Sequence, residues 1–235
     1  MMLKIKVLYF YQKFKTYLVN TSWIMTEKIL NIGVIFLTTI LVARYLGPMQ
    51  FGVFAYAISL VTLFAFFGHV GLSGLVVREL CKHPNAKQEI MGTCFGLIGF
   101  GYLIGLILML TFTVITENVQ SELFWVLLIL AITLLFRPFS VIDLWFQSRL
   151  EAKYTAISNT TAILISSIIK IALVFGGAHL ILFAYANLIQ GILSATILII
   201  FYKYKSKLSL FTWKFSYTRA KELLSQSWMI YLGSF

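Results

Sequence analysis

The sequence predicts an all-α integral membrane protein: a six transmembrane helix bundle followed by the start of a seventh helix. Two observations carry this. Of the 235 residues, 60% are hydrophobic, 16% aromatic and only 11% charged, against roughly 45–50% apolar and about 25% charged in soluble domains. A chain this apolar cannot cover itself with polar side chains, so lipid is part of its solvent. In addition, the apolar residues fall into six runs, each near the roughly 20 residues that cross a hydrocarbon core of about 30 Å. No strand alternation and no β-barrel period of about 10 residues accompanies them.

The expected spans are 23–45, 51–77, 90–116, 123–146, 154–175 and 179–202. Gly68, Gly71 and Gly74 are expected to loosen the end of the second. The third carries the pairs Gly92/Gly96 and Gly101/Gly105, whose spacing lets neighbouring helices approach closely. Pro138 lacks a backbone donor and is expected to kink the fourth. After the sixth, a basic linker over 203–217 leads to an amphipathic stretch and then to a run, 227–235, too short to cross. Ser227-Trp228-Met229-Ile230 echoes Ser22-Trp23-Ile24-Met25, which fits the truncated start of a second six-span copy.

Charge placement predicts orientation. The net charge is +11, and fifteen of the 19 basic residues lie in the N-terminal arm and the even-numbered connectors. The connector 117–122 holds none, and neither does 176–178. This alternation puts the N-terminus and the even loops in the cytoplasm. It also argues against nucleic acid as partner, because the cations flank spans instead of forming one patch. The apolar stretch 7–11 is too short for the core of a signal peptide, so insertion is expected to use the internal helices. Cys81 and Cys94 form no CxxC pair and no metal spacing.

Four basic residues remain within or at the ends of spans: Lys28, Arg44, Arg137 and Lys170. Polar groups are costly in hydrocarbon, and where they align they mark a wet interior. Asn20, Glu27, Asn31 and Thr38 share one face of the first span, with Lys28 at its border. Thr155, Asn159, Ser166 and Lys170 form a stripe on the fifth, and Asn187, Gln190 and Ser194 one on the sixth. Three such faces predict a bundle around a polar cavity. Lys28 and Lys170 either face it or snorkel to the headgroups. Arg137 is either a cavity cation or an anchor at the span's end. Asp143 either pairs with a base or lies at the interface, and Arg44 is read as an interface anchor. The candidate binding residues are Lys28, Lys170, Arg137, Glu27, Asn31, Asn159, Asn187 and Gln190.

No phosphate-binding GxxxxGK[ST] loop, HExxH zinc motif or dinucleotide GxGxxG is present. The reading is therefore non-enzymatic, with no cofactor and no metal. His69, His83 and His179 are far apart in sequence and are read as structural or solvated. The sequons at Asn20 and Asn159 are discounted, since both lie at or in spans.

The segment Arg44-Tyr-Leu-Gly-Pro-Met-Gln-Phe-Gly-Val-Phe-Ala-Tyr-Ala, joining the first two spans, resembles the polysaccharide and O-antigen flippases (Wzx type) of the multidrug/oligosaccharidyl-lipid/polysaccharide superfamily. The resemblance continues at Gly71-Leu72-Ser73 and Val77-Arg78-Glu79, and more loosely over 143–154. It implies two six-helix lobes around a central cavity, this chain supplying the first lobe and the start of the second. It implies a flippase that moves a polyprenyl-diphosphate-linked oligosaccharide from the cytoplasmic to the periplasmic leaflet of the bacterial inner membrane by alternating access. Cavity cations would attract the diphosphate, and Glu27 and Lys28 stand where related lipid flippases carry charges early in the first helix. Candidate protein partners are a polysaccharide polymerase and a chain-length regulator. A drug or metabolite antiporter of the same superfamily is the alternative, as is a fragment unable to flip lipid alone. A membrane-embedded sugar-lipid polymerase or transferase is disfavoured by the nearly empty outer loops.

Overall fold

In the computed structural model, backbone is described for residues 2–68, 71–207 and 212–232, and side chains for 14–15, 17–68, 71–207 and 212–227. His69, the side chains of the N-terminal lysines Lys4, Lys6 and Lys13, and the side chains of 228–235 lie outside the described residues. The elements are helices α1 (Met2–Ala65), α2 (Ser73–Lys82), α3 (Lys87–Thr116), α4 (Glu122–Ile132), α5 (Val141–Ser148), α6 (Ala152–Phe175), α7 (Leu180–Ser206) and α8 (Tyr217–Leu232). Among the described residues there is no strand, and five helices are long and apolar enough to cross a membrane. This is an all-α membrane bundle.

The helix α1 is not one rod. Gly47 sits at φ 70°, ψ 175°, outside helical geometry. Glycine tolerates positive φ, and the proline that follows disfavours helical ψ at the residue before it. Asn31 and Val61 border the same cavity, although thirty residues of straight helix would hold them about 45 Å apart. The chain therefore turns back at Gly47-Pro48, and α1 has two arms. Tyr45 ties the turn down by donating its hydroxyl to the Ala178 carbonyl in the α6–α7 connection at 3.1 Å.

The first arm runs alongside α6 in the same direction. Asn20 Oδ1 accepts from the Ala152 amide at 2.8 Å, capping the start of α6 across the bundle. Glu27 meets Asn159 further along. The second arm packs on α3 through the expected glycines. A Cβ at Gly101 would collide with the Phe67 carbonyl, and one at Gly105 with that of Phe64. Gly92 and Gly96 serve otherwise than expected. They admit no helix; they seat the extended segment after α7, with the Lys214 backbone and the Phe215 ring where side chains would project.

Two spans break where sequence hydropathy ran on. The stretch 51–77 ends as helix at Ala65, passes through a 3₁₀ turn at Phe66–Gly68, and resumes as the separate helix α2. Gly68 and Gly71 thus lie in an outright break, while Gly74 is inside α2, which buries Leu75, Val76 and Leu80 along one side. The stretch 123–146 becomes α4, a 3₁₀ segment Thr133–Ser140 around Pro138, and α5. A proline cannot donate and crowds the preceding turn, so the tighter 3₁₀ winding replaces α-geometry there.

Large apolar side chains cover the outside. Ile32 and Phe36 on α1, Phe100 on α3 and Ile168 on α6 are each exposed by 63% or more. Such a surface is stable against acyl chains and unstable in water. Polar ends bracket it, with the densest positive charge where α3 and α6 begin and α7 finishes.

At that end the segment after α7 is fastened to α3. The Lys214 amide donates to the Gln88 carbonyl at 3.2 Å, the Ser216 amide to Thr93 Oγ1 at 3.0 Å, and Trp213 Nε1 to the Tyr202 hydroxyl at 3.0 Å. The Arg219 guanidinium then lies 3.9 Å from Glu79 and 3.7 Å from Glu89, drawing α8 onto α2 and α3.

Candidate functional site

A cavity of about 510 Å³ opens between both arms of α1, the α4–α5 break, α6 and α7. Its wall carries Glu27, Asn31 and Thr62 from α1, and Thr133, Arg137, Ser140 and Asp143 from the break. Asn159 comes from α6, and Asn187, Gln190 and Ser194 from α7. Ile58, Val61, Leu130, Phe136 and Leu198 are among the apolar residues between them.

The polar residues are linked. Asn159 Nδ2 donates to Glu27 Oε1 at 3.0 Å, while Asn159 Oδ1 accepts from Ser194 Oγ at 2.9 Å. One amide thus joins α1, α6 and α7, and it uses both its donor and its acceptor. Lys170 Nζ donates to Asn187 Oδ1 at 2.7 Å, joining α6 to α7 a few turns away. One buried side-chain oxygen of Asn31 and one of Asp143 accept no hydrogen bond among the described residues. Buried acceptors in a roomy polar space are groups that water or a polar ligand satisfies.

Sequence-selected residues fall into three groups. Glu27, Asn31, Arg137, Asn159, Asn187 and Gln190 come together on the cavity wall. Lys170 does not border the cavity and reaches it only through Asn187. Lys28 is exposed and lies outside the lining. The expectation that it could face the cavity is corrected by helix geometry, since successive residues are turned about 100° apart and Glu27 faces in. Two other stripe members have structural partners. Ser166 donates to the Ala186 carbonyl at 2.9 Å, and Thr38 to its own helix at Val34.

Sequence reasoning did not place Asp143, Thr133 and Ser140 at the cavity. They flank or lie in the 3₁₀ segment, where the 3.6-residue period used to group stripe residues no longer applies. The signal available was Pro138 beside Arg137, which marks a break but not its direction. The lining carries two carboxylates, Glu27 and Asp143, and one guanidinium, Arg137.

A polar chamber inside a lipid-facing bundle suits passage of a polar solute. The family profile for polysaccharide biosynthesis proteins matches residues 17–235. The chain belongs to that family. Membership in the polysaccharide biosynthesis protein family gives it a flippase- or transporter-type role, and its five long apolar helices make it a multi-pass membrane protein. Comparison with curated proteins and with solved structures gives no match.

Proposed function

We propose that the chain translocates a polyprenyl-diphosphate-linked oligosaccharide from the cytoplasmic to the periplasmic leaflet of a bacterial inner membrane, by alternating access to the cavity described above. The supporting observation is the Glu27–Asn159–Ser194 chain of hydrogen bonds on the wall of a cavity whose enclosing helices present apolar side chains outward. A diphosphate and several sugars face a prohibitive cost in hydrocarbon. Asn31, Asn159, Asn187, Gln190 and Ser194 supply donors and acceptors for sugar hydroxyls. Arg137 supplies the cation for a diphosphate, and the polyprenyl tail stays in lipid. Lys170 acts, in this reading, at the margin of the cavity, through Asn187.

The proposed orientation has the N-terminus and the basic end in the cytoplasm, following the placement of Lys and Arg. Counting both arms of α1, residues 1–202 form a lobe of six crossings. Lys214 and Ser216 after α7 are bonded back onto α3, and Arg219 draws α8 onto α2 and α3. Surface polysaccharide in cells carrying Arg137→Ala or Asn159→Ala in the full gene, at matched protein level, tests the reading. Loss supports it, and wild-type amounts overturn it.

A second reading draws on the excess of carboxylates over cations in the lining. Glu27 and Asp143 suit a cationic solute, and an antiporter of small cationic molecules would use them. Changed drug sensitivity with unchanged polysaccharide would select that reading.

A further inference from the structure

The end of the bundle where α3 and α6 begin and α5 and α7 finish carries four cations on a floor of aromatic rings. Lys87 Nζ lies 4.5 Å from the centre of the Trp145 ring and 5.5 Å from that of Tyr202. The Arg149 guanidinium lies 5.2 Å from the same Trp145 ring. Lys153 and Lys205 lie 5.0 Å and 4.9 Å from the ring of Tyr154. The floor is continuous. Trp145 and Phe146 are 4.9 Å apart, Phe146 and Tyr154 5.2 Å, and Trp145 and Tyr202 5.0 Å.

Among the described residues, one carboxylate serves this group. Glu151 lies 3.5 Å from Lys205 and 4.0 Å from Arg149. Four cations against one acid leave the platform strongly positive. Ring faces attract cations but do not neutralise them. Lys87 and Arg149 share the Trp145 ring and repel each other, so an anion placed between them relieves the crowding.

We propose that this platform binds the phosphate of an anionic glycerophospholipid headgroup. The depth fits, because the platform lies at the ends of membrane helices, where aromatic rings and basic pockets between helices meet headgroups. The apolar surface fits as well. Ile157, one turn along α6 from Lys153, and Ile200, further into α7 from Lys205, are exposed and offer contact to acyl chains. A soluble phosphate would have no use for them. The inference rests on the membrane architecture and not on the transport reading.

Native mass spectrometry of the purified full chain tests it, with phosphatidylglycerol titrated into phosphatidylcholine nanodiscs. The expected result is preferential retention of phosphatidylglycerol, weakened about tenfold or more in the Lys87→Gln/Lys205→Gln pair. Retention is kept in Lys87→Arg/Lys205→Arg. The pair Lys203→Gln/Lys207→Gln removes two exposed charges from the same end but outside the platform, and should change retention by less than about twofold. Equal losses in both Gln pairs would overturn the site in favour of general attraction to a positive surface. Glu151→Gln gives a result of opposite sign: retention tightens several-fold if the platform awaits an anion, and stays level or falls if the cations are only structural, which also overturns the proposal. Displacement of the lipid by millimolar inorganic phosphate would assign the site to a soluble anion instead.

Discussion

Asn159 stands between Glu27 and Ser194, giving its amide hydrogen to the first at 3.0 Å and taking the hydroxyl hydrogen of the second at 2.9 Å. Three helices meet at this one side chain on the cavity wall. Asn159→Leu removes both bonds and leaves a carboxylate without its donor. A buried polar group deprived of its partner costs about 1–3 kcal/mol. The expected outcome is loss of transport with a lowered melting temperature in detergent. Asn159→Asp keeps the shape but sets a second carboxylate against Glu27, so it should lose transport too. Surface polysaccharide and thermal unfolding of the purified variants check both.

Gly47 holds the turn between the arms of α1 at φ 70°, and nothing lies within 4 Å of where a Cβ would project. Gly47→Ala therefore carries only the backbone penalty of φ 70° with ψ 175°, a region essentially confined to glycine, about 1–3 kcal/mol. The melting temperature should fall by a few degrees. Gly47→Asn should fall as far, since the tolerance of asparagine is for the left-handed helical region and not for ψ near 175°. An unchanged melting temperature in both variants would show that the turn is not what the glycine supplies.

Gly92 admits the backbone of Lys214, which a Cβ would approach to 2.5 Å. Gly92→Val should push the segment after α7 off α3 and break the bonds from Lys214 to Gln88 and from Ser216 to Thr93. Limited proteolysis should then cut near 212–216 much faster than in the wild type. Gly33→Val, at a glycine with nothing within 4 Å, is the control and should leave the cutting rate unchanged.

Asn20 caps α6 from the neighbouring helix, its Oδ1 2.8 Å from the Ala152 amide. Asn20→Ala should cost about 1 kcal/mol, the usual range for a lost cap. Asn20→Asp keeps an acceptor beside the positive end of α6 and should restore most of it. Thermal unfolding of the two variants distinguishes the cap from a role in the cavity, which would affect transport without affecting stability.

Much of this was legible in the residue string. Hydropathy gave the membrane class and the approximate bounds of the long helices, because the cost of burying charge in lipid acts on each residue regardless of the fold. The polar faces of the first, fifth and sixth spans were legible too, since side-chain direction in a regular helix follows from residue number. Glu27, Asn31, Asn159, Asn187 and Gln190 are brought to one cavity for that reason. The same rule failed wherever the helix was irregular. Asp143, Thr133 and Ser140 reach the cavity from around the 3₁₀ segment at Pro138, and the glycines after Phe67 end a helix that hydropathy carried on to 77.

Partners distant in sequence were not legible. Asn20 shares a stripe with Glu27 yet caps α6, and Gly92 matches a helix-packing pattern yet seats an irregular segment of chain. By itself the sequence determined that this is a lipid-solvated helical bundle with hydrophilic faces and a positive end, because those properties follow from local composition and helical period. Only the tertiary structure decided which polar groups meet, which face out, and what each glycine admits. Those outcomes depend on how helices pack against one another, and no single segment carries that information.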